Sequence, residues 1–230
     1  MNAVKRLRAQ EKAQSRRAFV ARGSHVTRCD DCLLAAMYCV CDQAPSLHDG
    51  VAACLLYYKG EVFKPSNTGR LIADVLADTH AMLWQRQQAP DAFLTLVNDS
   101  RYLPVVVFPA EYVDDPARAT TVDDVASAQR IPLLIFLDGT WREARKMFRS
   151  HWLSDFPVLS VSPQRLSEYQ LREAAREHQL GTAEVAIPLL EGLGHAAPAM
   201  ALQQHFTRVR EGYLRSKTQG ARQSSSDDDS

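Results

Sequence analysis

Residues 131–148, IPLLIFLDGTWREARKMF, constrain the fold of this chain more than any other stretch. The apolar run 131–137 is too short to cross a membrane. Its branched residues and flanks suit a strand buried on both faces of a parallel sheet. Asp138 and Gly139 end the run, and Gly139 permits a sharp turn where a side chain would obstruct one. Thr140 and Glu143 have the spacing of a capping box, so a helix should start here. Trp141, Ala144 and Phe148 then share one helix face with Met147 beside them, while Arg142, Arg145, Lys146 and Arg149 gather on another. A carboxylate at a strand end thus sits beside free helix-start amides, an aromatic ring and a basic stripe. Open α/β sheets bind ligands at the carboxyl ends of their strands. The same residues also suit an ordinary strand-to-helix turn in which Asp138 only caps.

Strands alternating with helices over the rest of the chain extend this unit into an α/β domain with a parallel sheet. Residues 51–58, 81–84, 103–109 and 158–161 read as further strands. Residues 92–97 read as a helix, and 114–129 as a polar loop with a helical piece starting near Val122. Thr182 and Glu184 open another helix, in which Pro188 is expected to be tolerated only in the first turn. Residues 197–216 form a long last helix. At 230 residues and 46% hydrophobic, the chain can bury one sizeable core plus a small appendage. Cys54 falls in an apolar run and reads as core.

The formal net charge is +0, so total charge predicts no polyanionic partner. Its distribution says more. Residues 1–28 hold eight Lys/Arg against one Glu, whereas 224–230 are only Ser and Asp. A basic helix over 3–22 carries Lys5, Arg6, Arg8, Lys12, Arg16, Arg17 and Arg22. It suits a helix laid along a phosphate backbone, a solvated arm, or a helix packed on the core. No segment has the length of a membrane span or the apolar core of a secretion signal, so a cytoplasmic protein is expected.

Cys29-x2-Cys32-x6-Cys39-x-Cys41 places four sulfurs within thirteen residues. That spacing suits one closed, tetrahedral zinc site, structural because no coordination position remains for water. Such a site would stabilise a lobe too small to fold by burial alone. An iron–sulfur cluster needs the same four ligands, although its usual spacings are missing. Residues 64–70, KPSNTGR, form a restrained loop. Asn67 or Thr68 can cap the following helix, and Gly69 allows close backbone approach. The glycine spacing of phosphate-binding and dinucleotide fingerprints is absent.

DGTW at 138–141 resembles the signature of the DTW-domain family. The four-cysteine lobe, KPSNTGRL at 64–71, Ser167-x-Tyr169-x2-Arg172 and Thr182-x-Glu184 follow in the same order, so the resemblance covers roughly residues 25–215. Within the family it is closest to the bacterial tRNA-uridine aminocarboxypropyltransferases. Many members have a histidine three positions before the glutamate that matches Glu61. Tyr58 stands there in this chain.

The resemblance implies a SPOUT-like α/β domain with a C-terminal trefoil knot and an N-terminal zinc lobe. The boundaries it suggests are a basic helix at 1–24, the lobe at 25–45, the catalytic domain at 46–217 and a disordered tail at 218–230. It also implies transfer of a 3-amino-3-carboxypropyl group from S-adenosylmethionine to N3 of a uridine in the tRNA variable loop. Asp138 is then the candidate base, or a group that orients uracil or the donor amine. Ser66, Asn67, Thr68, Gly69 and Arg70 would receive the donor's carboxylate, with Thr140 nearby. Trp141 would stack on adenine or uracil, or else pack in the core. Glu184 would bind ribose or amine, or else only start a helix. The basic helix, the lobe, the 142–149 face and Arg172 would track tRNA, so removing residues 1–22 should weaken tRNA binding and spare the donor. An S-adenosylmethionine-dependent methyltransferase and a noncatalytic zinc-containing RNA-binding module are the rival readings. A monomer and a homodimer are both open.

Overall fold

The computed structural model describes residues 1–15, 26–161 and 181–226, with side chains as far as residue 216. Six strands form one all-parallel sheet: β1 (Ala52–Tyr57), β2 (Thr79–Leu83), β3 (Tyr102–Val107), β4 (Ala119–Thr120), β5 (Ile131–Asp138) and β6 (Val158–Leu159). Their order across the sheet is β2-β1-β5-β3-β6-β4. The helices are α1 (Ala3–Gln14), α2 (Gly69–Val75), α3 (Asp91–Val97), α4 (Val122–Ala126), α5 (Trp141–Phe148), α6 (Thr182–Gly192) and α7 (Ala196–Ser226).

The near-continuous apolar runs of the central strands follow from burial on both faces. Successive side chains point to opposite faces, and two cores result. Ala53, Leu55, Tyr57, Leu134 and Phe136 join residues of α1, α2, α6 and α7. Ala52, Cys54, Leu56, Leu133, Ile135 and Leu137 join residues of α3 and α5. Helices therefore cover both sheet faces, as parallel strands require. Burial pushes the Cys54 thiol up to about 12, in keeping with its core position.

Val4 and Leu7 of α1, with Cys32 and Leu34 of the cysteine lobe, lie in the same core as Leu71, Ile72, Leu190 and Leu202. The N-terminal helix therefore packs on the domain. Pro188 lies well inside α6, not in its first turn. Its ring supplies no N–H to the carbonyl of Glu184, yet Pro188 is buried with its neighbours Leu189 and Leu190, and packing offsets the lost bond. The polar segment 114–129 contributes β4 as well as α4, and two residues are too few to show an alternating pattern. The last strand shortens to Val158–Leu159. The implied knot depends on residues 162–180, which lie outside the described residues.

Candidate active site and metal centre

The neighbours β1 and β5 end at one level, with Tyr57 paired to Asp138 in register. From β1 the chain proceeds to β2 on one side; from β5 it proceeds to β6 on the other. Adjacent strands with diverging connections leave a crevice beyond their carboxyl ends. Asp138 stands in that crevice, on the face shared by α2 and α6.

Asp138 is buried. Its Oδ1 accepts a short hydrogen bond from Asn67 Nδ2. Its Oδ2 accepts from the Thr182 hydroxyl at 3.1 Å. Burial pushes the carboxyl up to about 7, against the pull of these two bonds; Glu61 adds to the rise and Lys64 opposes it. The positive end of a helix dipole would by itself favour an ionised, weakly basic Asp138. Desolvation overrides that influence, because α5 begins three residues later and the carboxylate faces away from it. A carboxyl poised near neutrality suits proton transfer.

Gly69 leaves the room that Asp138 occupies. A Cβ there would stand 1.9 Å from Asp138 Oδ2. Asn67 is itself held, its Oδ1 accepting from the Arg70 amide at 3.3 Å and from the Tyr57 hydroxyl at 3.5 Å. Tyr57 is fully buried, which raises its hydroxyl pKa well above the ordinary value. Thr68 Oγ1 accepts from the Ala183 amide at 3.3 Å, tying the loop to the start of α6. Ser66 is exposed. Glu61 forms an ion pair with Lys64.

Arg70 is buried, and Nε, Nη1 and Nη2 have no hydrogen-bond partner among the described residues. Burial lowers its pKa, while Asp74 one turn on opposes the fall. An unpaired buried cation is costly, and a carboxylate or other anion brought to it would relieve the cost. Glu184 accepts from the Gly181 amide at 2.8 Å, the helix-start role. Glu143 accepts from the amide and hydroxyl of the exposed Thr140. Trp141 lies on the other sheet face from the Asp138 carboxylate, stacked on Phe108 at 5.6 Å and edge-on to Tyr112 at 5.3 Å.

The sulfurs of Cys29, Cys32, Cys39 and Cys41 all lie within 4.8 Å of one another. Closest separations are 3.5 Å for Cys39–Cys29, 3.7 Å for Cys29–Cys41 and 3.8 Å for Cys32–Cys39. A tetrahedron with legs of about 2.3 Å has edges of roughly 3.8 Å, so the donor set fits a zinc-sized thiophilic ion. Disulfides need about 2.05 Å, and all five cysteines are free. Burial alone would raise the Cys29 thiol, but the Cys32 and Asp31 amides and neighbouring sulfurs bring it down to about 7. Leu33 turns the knuckle at φ 60°. Arg8 of α1 donates to the Asp30 and Asp31 carbonyls at 2.7 and 2.9 Å and to Val62 O at 3.0 Å, binding lobe, helix and domain together.

A family profile described as DTW domain matches residues 26–214. The chain belongs to the DTW-domain family. No solved structure matches it. Membership suggests an RNA-modifying enzyme acting on tRNA. No described helix is long and apolar enough to cross a membrane.

The basic residues of this DTW protein divide into two groups. On α1, Arg8 is buried, so the expectation that it contacts RNA is corrected: its guanidinium is occupied by backbone carbonyls. Lys5 pairs with Asp31 at 3.1 Å, and Lys12 lies 3.7 Å from Asp30. Arg6 donates to Met1 O. Arg16, Arg17 and Arg22, like Tyr169 and Arg172, lie outside the described residues. On α5, Arg142, Lys146 and Arg149 are exposed, while Arg145 is half-buried with its guanidinium over the Tyr112 ring. Arg142, Arg145, Lys146 and Arg149 join Arg86 and Trp84 around a cleft of about 520 Å³. Trp84 falls at the end of the strand expected over 81–84, and neither it nor Arg86 belongs to a local motif, so only the packing against α5 shows that they line this cleft. Thr182 was noted only as a cap, and nothing local links it to Asp138.

Proposed function

We propose that this protein transfers the 3-amino-3-carboxypropyl group of S-adenosylmethionine to N3 of a tRNA uridine, with Asp138 as the base. The observation carrying this reading is a buried carboxyl, shifted to about 7 and held by Asn67 and Thr182, in the crevice of a DTW-family sheet. S-adenosylmethionine supplies an electrophilic carbon on a positively charged sulfonium. Asp138, when ionised, offers that cation negative charge, and the unpartnered Arg70 guanidinium can donate hydrogen bonds to the donor's carboxylate. Asp138 takes the N3 proton as the nitrogen forms its bond to the γ-carbon. The γ-carbon–sulfur bond breaks with its electron pair going to sulfur, and methylthioadenosine leaves. Asn67 and Thr182 keep the carboxylate aimed, so positioning selects the longer arm over the methyl. The four cysteines would hold zinc in a structural role.

Incubation with S-adenosylmethionine and unmodified tRNA, followed by nucleoside mass spectrometry, tests the proposal. The expected product is uridine bearing the four-carbon amino acid group, with one methylthioadenosine released per transfer. A single added methyl would establish the methyltransferase reading instead. Bound tRNA with no product would leave a binding module.

A further inference from the structure

We propose that the cleft between the end of β2 and α5 is a docking channel for the single-stranded RNA flanking the nucleotide presented to Asp138, with Trp84, backed by Tyr58, as its stacking surface. This inference rests on the reading of the protein as an RNA-modifying enzyme. Five Lys/Arg side chains line the cleft and, among the described residues, no Asp or Glu does; exposed His151 also lines it. On α5, Arg142 with Lys146 and Arg145 with Arg149 are like-charge pairs one turn apart, an arrangement that weakens a helix. A polyanion relieves that repulsion. The volume of about 520 Å³ lies in the range of sites that enclose small ligands.

The aromatic part decides which polyanion fits. Trp84 and Tyr58 stack with centroids 5.6 Å apart and planes 20° from parallel. Lys146 Nζ lies 5.6 Å from the Tyr58 ring centre and 5.7 Å from that of Trp84. Trp84 Nε1 donates to Ser150 Oγ at 2.8 Å, and Ser150 is buried, so the indole is locked in place. A paired helix would need the cations only; a fixed indole among them suits an unstacked base. The cleft and the Asp138 crevice lie on opposite sheet faces and adjoin at the carboxyl ends of β1 and β5. Tyr58 N donates to Asp138 O at 2.8 Å. Tyr57 and Tyr58 face opposite sides of the sheet, so an RNA strand crossing over the carboxyl ends of β1 and β5 would pass from the cleft to the Asp138 crevice.

Full-length protein is titrated with a fluorescent single-stranded oligouridylate and with an RNA duplex of equal phosphate number, at fixed salt. Trp84→Ala should weaken single-strand binding by about five-fold or more, within the usual worth of one stacked base, and leave duplex binding nearly unchanged. Trp84→Phe should retain most of the affinity, and guards against a folding defect. Arg86→Ala with Arg149→Ala should weaken both ligands and flatten the salt dependence by about two phosphate contacts. Tighter duplex binding, or Trp84→Phe and folded Trp84→Ala each behaving identically to wild type, would overturn the channel. If tRNA transfer proceeds with unchanged KM in the double variant, the channel alone is wrong. If wild type binds oligouridylate through the cleft but transfers nothing, the enzyme reading alone is wrong.

Discussion

Asp138 was visible in the sequence as a carboxylate at a strand end, but its character was not. Nothing local shows that Asn67, Thr182 and Gly69 converge on it from two other elements. The sign of its pH linkage is definite. The folded carboxyl holds its proton up to about 7, whereas an unfolded Asp releases it near 4. Stability from this group is therefore intact below about pH 4 and is lost as pH rises toward 7, by a few kcal/mol. Asp138→Asn should abolish transfer, while its thermal midpoint at pH 8 equals or exceeds that of wild type. A large loss of midpoint would mark Asp138 as structural. In wild type, kcat/KM should climb through about pH 7 and then level off, as a base that must be ionised requires. Arg70→Met gives a second separation of roles. Removing an unpartnered buried cation should leave the ligand-free midpoint unchanged or higher, yet eliminate stabilisation by S-adenosylmethionine. A destabilised variant that still binds the donor would assign Arg70 to the core. Gly69→Ala should cost activity at least about a hundred-fold and roughly 1–3 kcal/mol of stability, read by turnover and denaturant melts, because its methyl needs the space of Asp138 Oδ2.

At the scale of elements, the cysteine lobe was readable because a metal site is encoded as spacing within one short segment. Its attachment was not. Arg8, one of several cations on a basic helix, stitches α1 to the lobe through carbonyl oxygens, while its neighbours Lys5 and Lys12 lie beside Asp31 and Asp30. Chelation should lower the thermal midpoint by on the order of 10 °C. It should also expose four thiols to a titrating reagent, with Cys54 reacting only on unfolding. Fewer than four newly reactive thiols would contradict a shared site. The α5 helix buries Ala144, Met147 and Phe148 as its pattern foretold and exposes Arg142, Lys146 and Arg149, but Arg145 is half-buried over the Tyr112 ring. Trp141, which the same pattern left open, stacks on Phe108 and meets Tyr112 edge-on, both from a different part of the chain.

For the whole molecule, the sheet order places the diverging connections of β1 and β5 at the point where Asp138 emerges. The active crevice opens on one face and the cationic cleft on the other, and they adjoin at the carboxyl ends of β1 and β5. The N-terminal helix belongs to this body, since Val4, Leu7 and Arg8 are buried in it. Removal of residues 1–22 should therefore lower global stability by several kcal/mol, at roughly 1.5–3 for each large apolar side chain exposed, and disturb donor and tRNA binding together. A truncated protein with unaltered denaturant midpoint, weaker tRNA binding and intact donor binding would instead show that residues 1–22 serve tRNA alone.

The sequence alone determined what is local: a two-sided buried strand, the turn and helix that follow it, a four-sulfur cluster and the family signature. Each is written in neighbouring residues, where spacing, periodicity and turn chemistry act directly. The tertiary structure alone decided which sheet face each strand-end residue meets, which cations are spent on carbonyls and which remain outward, and how far burial shifts one carboxyl. Those outcomes depend on groups brought together from distant parts of the chain, and on the desolvation that only their packing produces.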